Sequence, residues 1–421
     1  MNKYSRKIIN FLDNHITDNI SRNINTNNDL IQKIINIARD ILKQQNETYY
    51  NMQITKINLI HNNNYPLLYQ LLKDKHSDFK SFLNWYNLKQ NSINFSDYKD
   101  KPEFKLIFYP EKEREHLHEI LYSNGFISID VCHYFEVNKI IRITVDNDKF
   151  ILNLYLTDDD ISKKDYYLDK IIKVILFMYE LNFQLINKKQ QQIRINVLLS
   201  HQRKELSDIS DYLSPINVNS GSAIRGEIVT VWRDEEIEKV LIHEIQHYLY
   251  CDFNIGTSES KYVTEIVNKY FTVDGIDAVN ESFNETMAHI INMCYQSCKL
   301  NIDLEKIYNY EMKFLLFQCA KIFKFFGANK MTDKIIFKQT TNVLSYYILK
   351  TYLLYNINDT IDLIYNFKLK CVGINIKTFG DYLDKILRET KLDIYIDKII
   401  EDLDKIDDCY VKRTLRMTVI S

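Results

Sequence analysis

His243 and His247 stand four residues apart in an otherwise apolar run, Val240-Leu241-Ile242-His243-Glu244-Ile245-Gln246-His247-Tyr248-Leu249. Four residues advance an α-helix by slightly more than one turn. Both imidazoles therefore project from one face and can reach a single metal ion. Glu244 lies beside them, placed to act as general base on a metal-bound water. A helix this apolar belongs in the interior, and no proline interrupts it. With ten histidines in 421 residues, a chance His-Glu-x-x-His has an expectation of only about one in a hundred. The bland alternative is a pair of core or surface histidines one turn apart.

The rest of the composition sets bounds. Eight Gly and four Pro against 30 Tyr and 22 Phe argue against collagen-like, linker-rich and disordered classes. A formal net charge of −2 provides no general attraction to nucleic acid or to an anionic membrane. Seven scattered cysteines without a CxxC pair suggest free, mostly buried thiols in a reducing compartment. The most apolar stretch, residues 171–181, holds Lys173 and Glu180 and is too short to span a bilayer. Asn10, Asp13 and Asn14 break the N-terminal apolar run, so no secretory segment is expected. The expectation is a cytoplasmic protein, virion-associated if its source is viral. The abundance of Ile, Asn, Lys and Tyr carries the imprint of an AT-rich genome.

Periodicity divides the chain coarsely. Residues 1 to about 60 read as helices with Asn-rich connectors (residues 44–47 and 61–64), Asp29 capping one of them. Residues 105–109 read as a short strand, followed by a helix from Glu111 that stops at Ser123-Asn124-Gly125. Ile140 to Val145 and Phe150 to Leu156 flank Asp146-Asn147-Asp148-Lys149 as a β-hairpin. A helix from about Lys164 to Leu181, strands at Ile193 to Leu199 and Glu227 to Trp232, and a helix from Asp234 to about Cys251 follow. That last helix carries Glu235, Glu236 and Glu238 in its first turn, where carboxylates suit the helix dipole. Further helices cover about Asn280 to Lys299, Leu304 to Phe326, Asn342 to Tyr355 and Tyr382 to Asp404. The fold class is α+β: a helical N-terminal region (1–134), a mixed α/β core (135–300) and a helical C-terminal domain (301–421).

A catalytic zinc takes three protein ligands and keeps a fourth position open. Position 253 is Phe, which removes the metzincin pattern. Asn284-Glu285-Thr286-Met287-Ala288, on the helix after the HExxH helix, supplies a different match. Here the sequence resembles the gluzincins, the thermolysin-like and aminopeptidase-like zinc peptidases, whose third ligand is the Glu of an NExxA-type motif. The resemblance covers about residues 135–300 and extends to metallopeptidases encoded by large DNA viruses. It implies a zincin-like core, one Zn2+ per chain, His243, His247 and Glu285 as ligands and Glu244 as base. Glu281, one turn before Glu285, is the rival third ligand. Asn284 is expected to bond backbone near the site. His289 falls where some members carry an Asp that orients a ligand histidine. The family also supplies a Tyr or His for the oxyanion, for which Tyr346 and Tyr347 are candidates. Ser220, Gly221, Ser222 and Ala223 precede a strand that zincins place above the cleft, where an extended peptide can pair with main chain; a Gly-Ser hairpin turn is the plain alternative.

The function expected is zinc-dependent hydrolysis of peptide bonds, with a peptide or protein as substrate and neither nucleic acid nor membrane as partner. A third reading keeps the hydrolase but changes the substrate to another amide. The rival is a non-catalytic zinc-containing scaffold that engages a host or virion partner, although a structural site needs no base beside its ligands. Other sites recede: His116 and His118 face different ways on a helix, and Cys294, Cys298 and Cys251 read as structural thiols. P-loop, GxGxxG and GxSxG motifs are absent.

Overall fold

The computed structural model describes residues 3–16, 23–43, 54–60, 111–138, 140–186, 192–206, 210–251, 258–276, 278–366 and 376–420. Its centre is a six-stranded mixed sheet in the order β1-β2-β3-β4-β6-β5. The strands are β1 (Ile54–Ile60), β2 (Ile140–Asp146), β3 (Phe150–Thr157), β4 (Ile193–Ser200), β5 (Gly221–Ile224) and β6 (Ile228–Arg233). The expected hairpin is there: β2 pairs antiparallel with β3 around residues 147–149. β3 then connects to its parallel neighbour β4 through the helix Lys164–Ile186, the crossover that a parallel pair requires. β4 and β6 are parallel, and β5 folds back antiparallel on β6 to form the sheet's edge.

One face of the sheet is apolar because alternate residues point the same way. Ile141, Ile143 and Val145 of β2, Leu152 and Leu154 of β3, Ile195 and Val197 of β4, and Val229 and Val231 of β6 all enter one large core. On the opposite face Thr144 donates to Asn153, and Asn153 donates to Asn196, making a polar row across β2, β3 and β4. A second, smaller core covers that face near Tyr155, Leu198 and Trp232, using Leu117, Val131 and Phe135 from helices Glu111–Ser123 and Ile129–Val137. The large core runs without a break from Ile8 to Ile420 and includes residues of all three sequence regions. Among the described residues, no helix is long and apolar enough to cross a membrane.

Several sequence expectations change. Residues 54–60 form β1, not a helix, and their backbone pairs antiparallel with β2. Residues 44–47, 61–64 and 105–109 lie outside the described residues. The Asp29–Lys43 helix takes its cap from Asn28, whose Oδ1 accepts from Leu30 N at 3.0 Å. The helix expected over Tyr382 to Asp404 is two, Ile376–Glu389 and Asp393–Asp402. The helix bearing both histidines begins at Ile237, after Glu236 adopts the left-handed φ of 59°. Such a conformation costs a non-glycine residue energy, and tertiary contacts must hold it. Glu236 is held by Lys204 Nζ at 3.0 Å and by the backbone N–H groups of Met417 and Thr418 at 2.7 and 2.6 Å. Glu236, read as a dipole partner, is thus a buried anchor for Met417 and Thr418.

Asp234 does not cap that helix; it holds His201. The two imidazole nitrogens sit 2.8 Å from Asp234 and 2.7 Å from Asp160. The bond to Asp234 is the main cause of a raised His201 pKa. A raised folded pKa stabilises fully below the unfolded value of about 6.5, and the contribution fades as pH rises through the folded value. His201 is nearly half exposed, so solvent screening keeps this small. His201→Gln should cost no more than about 1 kcal/mol at pH 6, and the difference should vanish towards pH 9. Thermal melts at both pH values check this; a cost that does not change with pH contradicts it.

Candidate metal centre

The motif helix Ile237–Tyr248 packs against the glutamate helix Asn280–Leu300, and both are buried along most of their length. The helices run antiparallel, so partners fall on one as they rise on the other. Lys239 meets Glu285, His243 meets Glu285 and Glu281, and His247 meets Glu281. Polar bonds fix the register. Asn284 Nδ2 donates to the carbonyl of His243 at 3.3 Å. Gln246, in the amide orientation that satisfies its neighbours, donates to Asn284 Oδ1 at 2.7 Å and accepts from Ala288 N at 3.2 Å.

His243, Glu244 and His247 form a group that can hold a metal ion, with potential ligand atoms all within 4.8 Å of one another. The two Nε2 atoms are 3.1 Å apart. Glu281 Oε2 lies 3.4 Å from Nε2 of His243 and 3.3 Å from Nε2 of His247. That oxygen is screened from solvent and accepts no hydrogen bond. Glu285 is placed differently. Its Oε2 is 2.8 Å from Nδ1 of His243, a close contact although bent away from a straight hydrogen bond. Its Oε1 pairs with Lys239 and, at 3.1 Å, with Lys350. Of the two glutamates weighed from the sequence, Glu281 therefore faces the Nε2 atoms, whereas Glu285 sits behind His243. Glu285 lies one turn deeper along its helix, where the two lysines claim it.

Burial and charge oppose one another here. Burial disfavours the charged form of Glu285, yet Lys239, Lys350 and His243 hold its pKa well below the usual carboxylate range. Glu281 is likewise depressed, with His247 and His243 outweighing burial. Glu244 goes the other way: burial raises its pKa, and the two histidines only partly offset this. Burial pulls Lys350 down to about 8.

Glu244 leans against the edge strand. A Cβ at Gly221 would lie 2.6 Å from Glu244 Cγ and 2.7 Å from its Oε1, so the carboxylate occupies space that only glycine leaves open. Gly221 pairs with Val231 and, among the described residues, no strand pairs with the outer edge of β5. Ser222 accepts a hydrogen bond from Asn124, and Ala223 is packed on the core. Ser220 Oγ is buried without a hydrogen-bond partner.

The two candidate tyrosines separate clearly. Both belong to the π-helical stretch Leu344–Leu349, an irregularity that often marks functional positions. The Tyr346 ring stands edge-on to His243, centroids 6.2 Å apart, and lines the pocket beside Glu244. Tyr347 turns away and donates to the carbonyl of Leu415 at 2.5 Å. Tyr347 thus serves the packing of residues 415–420, not the centre. His289 is also removed from the histidine pair: it lies 3.2 Å from Glu311, which accepts backbone N–H groups from Val419 and Ile420. It therefore orients neither motif histidine.

Sequence reasoning passed over Lys239, Lys350 and Lys204. Lys239 had a legible signal, since it lies one turn before His243 on the same helix face. Lys350 and Lys204 had none, because they come from distant parts of the chain. Compared with known proteins, the chain matches no protein-family model, no curated protein sequence and no solved structure.

Proposed function

We propose that the chain is a zinc-dependent peptidase with a gluzincin-like site, in which His243, His247 and Glu281 hold the metal. The observation that carries this reading is the convergence of His243 Nε2, His247 Nε2 and Glu281 Oε2, separated by 3.1, 3.3 and 3.4 Å. Tetrahedral donors about 2.0–2.2 Å from a zinc ion stand about 3.3–3.6 Å from each other, so this trio fits with little adjustment. The orphaned Oε2 of Glu281 is the atom such an ion satisfies. An antiparallel edge strand beside a buried motif helix and a glutamate helix supports a zincin-like core.

When bound, zinc supplies Lewis-acid polarisation of the scissile carbonyl and acidifies a water molecule. The chain's residues do the rest. Glu244 takes the proton of the attacking water and passes it to the leaving amine. Glu285 holds a proton on Nδ1 of His243, which leaves the Nε2 lone pair free for the ion. The Tyr346 hydroxyl donates to the developing oxyanion. The outer edge of β5 pairs with an extended substrate, and Gly221 lets that backbone pass close to Glu244.

Glu244→Gln should keep its zinc and lose peptide cleavage by about 100- to 10,000-fold, measured as turnover of a peptide library with zinc content determined in parallel. Undiminished turnover in that variant would sink the mechanism. A scaffold with a structural zinc gives Glu244 no task, although the residue is buried beside both ligands and the edge strand.

A further inference from the structure

We infer that the pocket beside the proposed zinc site receives a carboxylate of the substrate, supplied by an acidic side chain or by a free C-terminus next to the scissile bond. This inference rests on the peptidase reading and adds a substrate class to it. The pocket is lined by His243, Glu244 and Gly221 together with Lys204, Lys239 and Ser220. Both lysines are almost fully buried, and a lysine belongs in such a place only when anions answer it.

Their donors are not used up. An ammonium group has three N–H donors. Lys204 Nζ donates to Glu236, and Lys239 Nζ donates to Glu285 and, weakly, to the Met417 sulfur at 3.6 Å. Ser220 is 96 % buried and its hydroxyl has no partner, yet it lines the same pocket. An acceptor that can take N–H and O–H bonds together completes all three, and a carboxylate does so with charge assistance.

The charge balance agrees. The charged groups that line the pocket, apart from His243, are Lys204 and Lys239 against Glu244 and Glu285, so they cancel. A divalent ion held by Glu281 leaves one positive charge over. A substrate carboxylate returns the site to neutrality, whereas a cationic side chain adds a second unpaired charge.

The experiment measures binding as well as turnover. Zinc-loaded protein is titrated calorimetrically, as Glu244→Gln and, to keep the Glu244 charge, as wild type with uncleavable analogues, using peptide pairs that differ only as internal Glu against Gln, or as C-terminal acid against C-terminal amide. Wild-type protein is offered the same peptides for cleavage. The carboxylate member of at least one pair is expected to bind about ten-fold more tightly, and which pair responds identifies the source of the carboxylate. Adding Ser220→Ala should reduce that preference about three-fold or more, and adding Lys204→Met should remove it. If the lysine variant does not fold, the serine variant decides. Equal binding within both pairs, or a preference untouched by both substitutions, overturns the inference. Cleavage without preference would overturn the pocket assignment and leave the peptidase standing. Discrimination in binding with no cleavage by wild type would do the reverse, and no binding of any peptide overturns the pocket assignment.

Discussion

Glu281→Ala should strip the chain of tightly held zinc. The substitution removes one of three donors that already stand at tetrahedral separations, so the loss should exceed the about 10- to 100-fold typical of a partner that only orients a ligand. Zinc affinity measured against a competing chelator is the test, with Glu285→Gln alongside. That second variant keeps a polar group near Nδ1 of His243 and should lose about 10- to 100-fold. The fold should survive Glu281→Ala, because this side chain is at the rim of the buried helix pair and pairs with no lysine among the described contacts. Wild-type zinc affinity in Glu281→Ala would remove Glu281 from the ligand set.

Glu285→Ala should fail in another way. It would leave Lys239 and Lys350 buried beside each other without the carboxylate they share. Breaking a buried ion pair from one side costs about 3–5 kcal/mol, since the orphaned charge must be solvated or lose its proton. The denaturation midpoint should fall accordingly, with or without zinc. Adding Lys350→Met should restore part of the loss, as expected for residues in one network. A Glu285→Ala protein within about 1 kcal/mol of wild type would show that the triad is not holding the helices together. The comparison also shows why zinc content alone misleads here: a Glu285→Ala chain can lose metal because it unfolds.

How much of this could be read from residues follows from the range of the forces involved. His243, Glu244 and His247 were legible because i, i+4 spacing on one helix is a local property. So were the hairpin of β2 and β3, the crossover helix and the glutamate helix, each set by period-two or period-3.6 apolar patterning. The order of elements placed the strand Glu227 to Trp232 just before the motif helix with Gly221 ahead of it, whereas only the structure made Gly221 part of the edge strand β5. Local pattern could not rank Glu281 against Glu285, because both lie on one helix face a turn apart. That choice depends on how far two helices slide past each other, and Asn284, Gln246 and Ala288 set the slide. Nor could local pattern bring Lys204, Tyr346 and Met417 to one pocket, since more than 200 residues separate the first from the last. Glu236, read as a helix-dipole partner, became a buried anchor for the same reason: a carboxylate's task is decided by the donors that folding brings to it. Spacing thus specified the helix that carries both histidines, while tertiary packing decided which glutamate faces their Nε2 atoms, which lysines hold Glu285 and the shape of the pocket.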